Sequence, residues 1–178
     1  MRHSPVRGLY AERMTMRPIR LYGDPVLRTP ADPVTEFDAA LRAVVGDLMD
    51  TLLGAPGRAG VAAPQIGVSL RVFVYDADGR RGHLVNPVLE DLAGTQDDEE
   101  GCLSLPGMAF ATPRAERVTA RGMDQDGNPL TVTATGFLAR ALQHETDHLD
   151  GRLYIDTLRG DVRRQALREL RRVRPAHA

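Results

Sequence analysis

Residues 144–148, His-Glu-Thr-Asp-His, constrain this chain more than any other segment. Histidines at i and i+4 lie on one face of an α-helix about a turn apart, so two imidazole nitrogens can converge on one metal ion. The pattern works only if the segment is helical. The glutamate after the first histidine then reaches a metal-bound water without being a ligand itself. The flanking residues agree with a helix over 136–149. Phe137, Leu138, Ala141, Leu142 and Leu149 recur at helical spacing, and Gly151 stands where a C-terminal glycine cap belongs. The plainer explanation is two histidines on a polar helix face with no metal. It leaves unexplained why an otherwise core-facing helix carries so many polar residues.

Two histidines do not complete a site, because a catalytic metal usually takes three protein ligands and keeps one position for water. Glu169 and His177 stand downstream. Glu169 lies among Arg168, Arg171 and Arg172, which suits a solvated, salt-bridging residue, and His177 is close to the C-terminus. Upstream, Cys102 is the chain's one cysteine, within Glu100-Gly101-Cys102-Leu103-Ser104. A lone cysteine is ordinarily a small buried hydrophobe. With Gly101 beside it, a thiolate could instead join two imidazoles in a set suited to zinc or ferrous iron. The acidic run 97–100 reads as a solvated loop, with Glu100 excepted as a partner for an arginine such as Arg114.

Composition closes several other routes. All 23 basic residues are arginine, so Schiff-base lysine chemistry and the phosphate-binding lysine of a P-loop are excluded. One cysteine permits no internal disulfide. The net charge of −1 does not suit a general nucleic-acid binder, and DNA is not expected as a partner. No apolar run approaches the ~20 residues of a membrane span. The first 16 residues carry Arg2, Arg7 and Arg13 without a continuous apolar stretch, unlike a secretory signal. A cytoplasmic location is therefore expected, with 1–15 a flexible extension, 16–174 a single catalytic domain and 175–178 a tail.

Along that domain, prolines at 18, 25, 30 and 33 predict an extended entry. Residues 37–53 have helical periodicity, with Thr35 or Asp38 as the cap. Residues 70–75 are a strand, followed by an Asp78-Gly79 turn and a second strand over 83–86. Residues 117–123 and 130–135 flank Asp126-Gly127-Asn128 as a hairpin. Residues 162–173 form a last helix with Val162, Ala166, Leu170 and Val173 on one face and arginines elsewhere. Small residues between Gly60 and Gly67 suit a tight turn, and Gln65 within it could donate an amide hydrogen bond to an oxyanion. The expected class is α+β: mainly antiparallel β-sheets packed around a central helix carrying the His-Glu-x-x-His segment, with a C-terminal amphipathic helix.

Three segments in order, Gly60 to Gly67, Glu100 to Ser104 and Gln143 to Gly151, resemble the peptide deformylase family. Arg17-Pro18-Ile19-Arg20 and Gly23 to Leu27 are similar to that family's usual start, so the likeness runs over roughly residues 16–160. The resemblance implies an enzyme that removes the N-formyl group from the initiator methionine of new polypeptides and releases formate. It assigns Cys102, His144 and His148 to one divalent metal, Fe(II) in many members and zinc in others, with nickel or cobalt also suited to these ligands. Metal-bound hydroxide would attack the formyl carbon and Glu145 would shuttle the proton. Gln65 and the Leu103 N–H would stabilise the oxyanion, and Gly60 would allow close approach. Ile66, Leu103 and a helix residue such as Leu142 or Ala141 are the expected walls of the methionine pocket.

Two positions depart from the family pattern. Arg58 replaces a glycine, and residues 106–110 lack an arginine that many members use to hold the substrate backbone. The rival readings are a zinc endopeptidase with Glu169 as third ligand, and a metal-binding, ribosome-associated relative without turnover. The arginines at 159, 163, 164, 168, 171, 172 and 174 suggest ribosomal RNA as a docking partner, as reported for some family members.

Overall fold

The computed structural model describes residues 15–173; residues 1–14 and 174–178, which hold nearly all of the expected extension and the tail with His177, lie outside the described residues. The apolar run after Arg71 forms the strand that organises the rest. This strand, β2 (Val72–Ala77), pairs antiparallel with β1 (Gly60–Ala62) on one side and β3 (Arg80–Ala93) on the other. Its side chains alternate between two cores. Val72 and Val74 meet Leu41, Val45, Leu48 and Leu52 of α1 (Ala39–Leu53), whereas Phe73 and Tyr75 meet Leu138, Leu142 and Leu149 of α2 (Gly136–Leu149). A strand covered on both faces needs no polar alternation, which is why this run is continuously apolar.

β6 (Arg117–Met123) and β7 (Pro129–Thr135) complete a five-stranded sheet in the order β1-β2-β3-β6-β7. Their hairpin is closed by Asp124, whose Oδ1 accepts from the backbone N–H groups of Asp126 and Asn128 at 2.8 and 2.9 Å. Helix α1 starts at Asp38, which accepts from the Leu41 N–H at 3.0 Å, so of the two expected caps the structure uses the second.

Four segments differ from expectation. The 83–86 strand is part of a longer one, 14 residues, whose pairing with β6 shifts after Val85 and again after Glu90. Positive φ at Asn86 and Asp91, together with Pro87, marks these irregularities and hides the strand's length. The Gly60 segment is a short edge strand and then a 3-10 turn over Ala63–Ile66, not only a turn. The acidic run is a strand in its second half: β4 (Glu99–Cys102) pairs with β5 (Leu105–Ala111) in a separate two-stranded sheet. On α3 (Gly160–Val173), Ala166 and Leu170 are buried but Val162 and Val173 are 37% and 51% exposed, so only the middle of the expected apolar face is used. Ala166 and Leu170 pack with Leu105, Met108, Phe110 and Tyr154 in a third core.

The central difference concerns α2. Residues 138–146 are all buried, along with His148 and Leu149. The large sheet covers one side and the β4–β5 hairpin the other, so the helix has no solvent face over this stretch. Gly151 then turns the chain at φ +69°, where a Cβ would lie 2.9 Å from the backbone of Arg28. Arg140, Gln143, His144 and Glu145 are thereby held in the interior, where each needs a partner.

Candidate active site

Glu100 is the residue that organises these interior polar groups. Its carboxylate, 5% exposed, accepts from Arg114 at 3.1 Å (Nε to Oε2) and 3.2 Å (Nη2 to Oε1). Arg140 Nη1 lies 3.6 Å away. Arg114 also donates to Asp147 at 2.7 Å, which ties the segment before β6 to α2. Burial works to raise the Glu100 carboxyl, but the hydrogen bond from His144 and the charge of Arg114 outweigh it and hold it below its ordinary value. The partnership between Glu100 and Arg114 is the one expected from sequence.

His144 Nδ1 stands 3.0 Å from Glu100 Oε1. A carboxylate can only accept, so Nδ1 carries a proton and Nε2 is the nitrogen left for a metal. Cys102 Sγ lies 3.4 Å from His148 Nε2, and one donor atom from each of Cys102, His144 and His148 lies within 4.8 Å of the others. One sulfur and two imidazoles converging this closely form a set that fits a tetrahedral metal with a position to spare. Protons alone suit the pair badly. Burial, and then the charge of His144, drives His148 well below its ordinary value, while Cys102 and Glu100 overcome burial to hold His144 well above its own.

Glu145 is 3% exposed and its Oε2 has no hydrogen-bond partner. Burial pushes its carboxyl up to about 7, against the opposing charge of His144. A buried carboxyl raised toward neutrality, on a residue of the cavity wall, is suited to take and return a proton. Gly60 explains how it fits: a Cβ there would lie 2.7 Å from Cδ of Glu145, so a larger residue would displace the carboxylate. Gln65, 1% exposed, accepts from the Ala62 N–H at 3.0 Å through Oε1. Its Nε2 therefore faces Ser104 Oγ at 3.2 Å and Cys102 Sγ at 3.8 Å.

These groups open on a cavity of about 420 Å³. Cys102, Leu103, Gln65, Gly60, His144 and Glu145 line it. His148 is in the ligand cluster behind this lining. The cavity fits a small ligand with an apolar side chain and a few polar groups to orient it.

The family model for polypeptide deformylase matches residues 16–164. The chain belongs to the peptide deformylase family. It is 57% identical over 158 residues to a peptide deformylase of Acidothermus cellulolyticus, covering 89% of this chain and 87% of that one. A peptide deformylase 1 of Corynebacterium efficiens is 47% identical over 163 residues, covering 89% of this chain and 96% of the relative. The solved peptide deformylase of Thermus thermophilus superposes with a TM-score of 0.83 at 42% identity, covering 88% of this chain and 94% of that one. That of Legionella pneumophila gives 0.80 at 41%, covering 90% and 99%.

Within this deformylase fold, two residues expected in the substrate pocket lie elsewhere. Leu142 is fully buried against the large sheet, and Ile66 packs with the α1 core, so neither lines the cavity. Ala141 does, with Leu105, Met108 and Phe137 as further apolar wall. Glu169 accepts from Gln165 at 3.1 Å on α3 and is not part of the cluster. Sequence reasoning missed Arg140, whose charge inside a run of core residues one turn before His144 was the available signal. It also missed Ser104, which lies inside a segment already singled out.

Because Arg114 and Glu100 are 6% and 4% exposed at the side chain, Arg114→Met strands a buried carboxylate and is expected to cost about 3–5 kcal/mol. Arg121→Met breaks a pair with Glu90 that is 56% and 44% exposed and should cost under about 1 kcal/mol. Denaturant midpoints of the two variants test this, and equal losses would remove the special position given to Arg114.

Proposed function

We propose that this chain removes the N-formyl group from the initiator methionine of newly made polypeptides, releasing formate in the cytoplasm. The observation that carries the reading is the convergence of Cys102, His144 and His148 next to Glu145, a cavity-lining residue with a buried, unpartnered oxygen. Cys102, His144 and His148 would hold one divalent ion, Fe(II) in the cell with zinc, nickel or cobalt as substitutes. Such an ion supplies Lewis-acid chemistry, lowering the pKa of water and polarising a carbonyl oxygen.

The chain's own residues do the rest. Glu145 takes a proton on its free Oε2 and returns it to the leaving amine, serving as base and then acid. Burial, which raises its carboxyl, favours holding that proton until it is returned. Gln65 presents its Nε2–H to the developing oxyanion, and its amide cannot flip without losing the bond from the Ala62 N–H. The Leu103 N–H, in the turn between β4 and β5, is the second donor. Ala141, Leu105, Met108 and Phe137 supply the apolar surface for the methionine side chain.

Formate released from a formyl-Met tripeptide, with protein purified without oxygen, tests the reading. The wild-type chain is expected to release it, and Glu145→Ala to fall by at least about 100-fold. Peptide-bond cleavage without formate release would favour the endopeptidase. Metal binding with neither activity would favour the relative without turnover.

The arginines of α3 are the remaining part of the proposal. Ala166 and Leu170 dock the helix, leaving Arg164, Arg168, Arg171 and Arg172 exposed and suited to ribosomal RNA phosphates. Co-sedimentation with ribosomes should fall steeply as salt is raised, and salt-independent or absent binding would remove this part.

A further inference from the structure

The charged groups around the cavity are not equivalent. Glu100 is neutralised by Arg114 and His144, and Arg140, though its Nη2 is unpartnered, is held by Gln96 at 3.2 Å and the Thr112 carbonyl at 2.7 Å and faces the Glu100 carboxylate at 3.6 Å. Glu99, at the start of β4, also lines the cavity but is exposed and screened by water. Arg58 is the exception. It is half-buried in the loop between α1 and β1, lines the cavity, and has no carboxylate in ion-pair reach among the described residues. Its one hydrogen bond is from Nη1 to the Thr51 carbonyl in the last turn of α1. That bond anchors one edge of a guanidinium with five N–H donors and leaves the others unused.

The placement relative to the chemistry is specific. Gly60 touches Glu145, and Arg58 is two residues before it along the cavity wall. A peptide that puts its formyl group at Glu145 and runs extended advances about 3.3 Å per residue. Residues beyond the methionine then run along the cavity that Arg58 also lines. An anchored, half-desolvated guanidinium with no protein anion is built to take a carboxylate there.

We propose that Arg58 is a specificity residue of this cavity: it engages a carboxylate at the second or third residue of the formyl-Met peptide, from an acidic side chain or a free C-terminus. The proposal rests on the deformylase reading above. As the cavity-lining arginine with no carboxylate partner among the described residues, Arg58 gives the cavity a charge preference that apolar walls cannot supply.

The experiment compares four substrates by formate release: formyl-Met-Ala-Ser, its C-terminal amide, and the amidated peptides formyl-Met-Ala-Asp and formyl-Met-Ala-Asn. The first pair isolates the free carboxyl and the second an acidic side chain. For the wild-type chain, KM is expected to be roughly fivefold lower for the carboxylate member of a pair, with the gap closing at high salt. Arg58→Ala should erase the gap mainly through KM, and Arg58→Lys should keep part of it. A wild-type chain that releases formate but does not discriminate would overturn the proposal, as would Arg58→Ala discriminating as the wild type does. Equal losses of kcat on all four substrates with a lowered Tm would reduce Arg58 to a cap on α1 and also overturn it. No formate from any substrate would sink the deformylase reading, and this inference with it.

Discussion

The Glu100 carboxylate is the group on which the rest of the site depends. It is buried with one guanidinium and one imidazole bonded to it and a second guanidinium 3.6 Å away. At ~3 Å and an effective dielectric of ~20, each full charge contact is worth on the order of 5 kcal/mol, which little more than offsets the cost of drying the ions. The network's main yield is therefore geometry. It holds β4 against α2, fixes the His144 ring through Nδ1, and turns Nε2 toward Cys102 and His148. Glu100 and Cys102 both reach α2 from one short strand, while Gly101 between them is exposed.

Burial of α2 on all sides explains the character of its polar residues. Gln143 bonds the Ala115 N–H and carbonyl, Arg140 bonds Gln96 and Thr112, and Thr146 bonds the Leu142 carbonyl. Against that background the few unpartnered atoms stand out: Glu145 Oε2, His148 Nδ1 and Arg140 Nη2. All three belong to residues at or beside the cavity and the ligand cluster, so the unmet polar capacity of the described interior is concentrated there.

Much of this was legible in the sequence, for identifiable reasons. The helix at Gly136–Leu149 could be read because periodicity and a histidine pair one turn apart agree. The strand at Val72–Ala77 was visible as a continuous apolar run. β4 and β5 were not, because Glu99, Glu100, Pro106 and Gly107 carry the marks of a loop. The pairing of Glu100 with Arg114 was readable, but only the structure shows that α2 neutralises it too, through His144 and Arg140. The pocket walls were the least legible. Leu142 and Ala141 are equally plausible by type, and a rotation of about 100° along the helix leaves Leu142 wholly in the core while Ala141, at the core's edge, also reaches the cavity. Long-range partners set such choices, and local pattern does not contain them.

The central claim is that a thiolate from one sheet and two imidazoles from one helix hold a single metal. X-ray absorption at the edge of the bound metal tests it most directly. The account predicts one sulfur donor at about 2.3 Å, with imidazole nitrogens making up the protein ligands. A first shell of nitrogen and oxygen alone would contradict it, because Cys102 would then stand outside the centre that the whole arrangement of β4 and α2 serves.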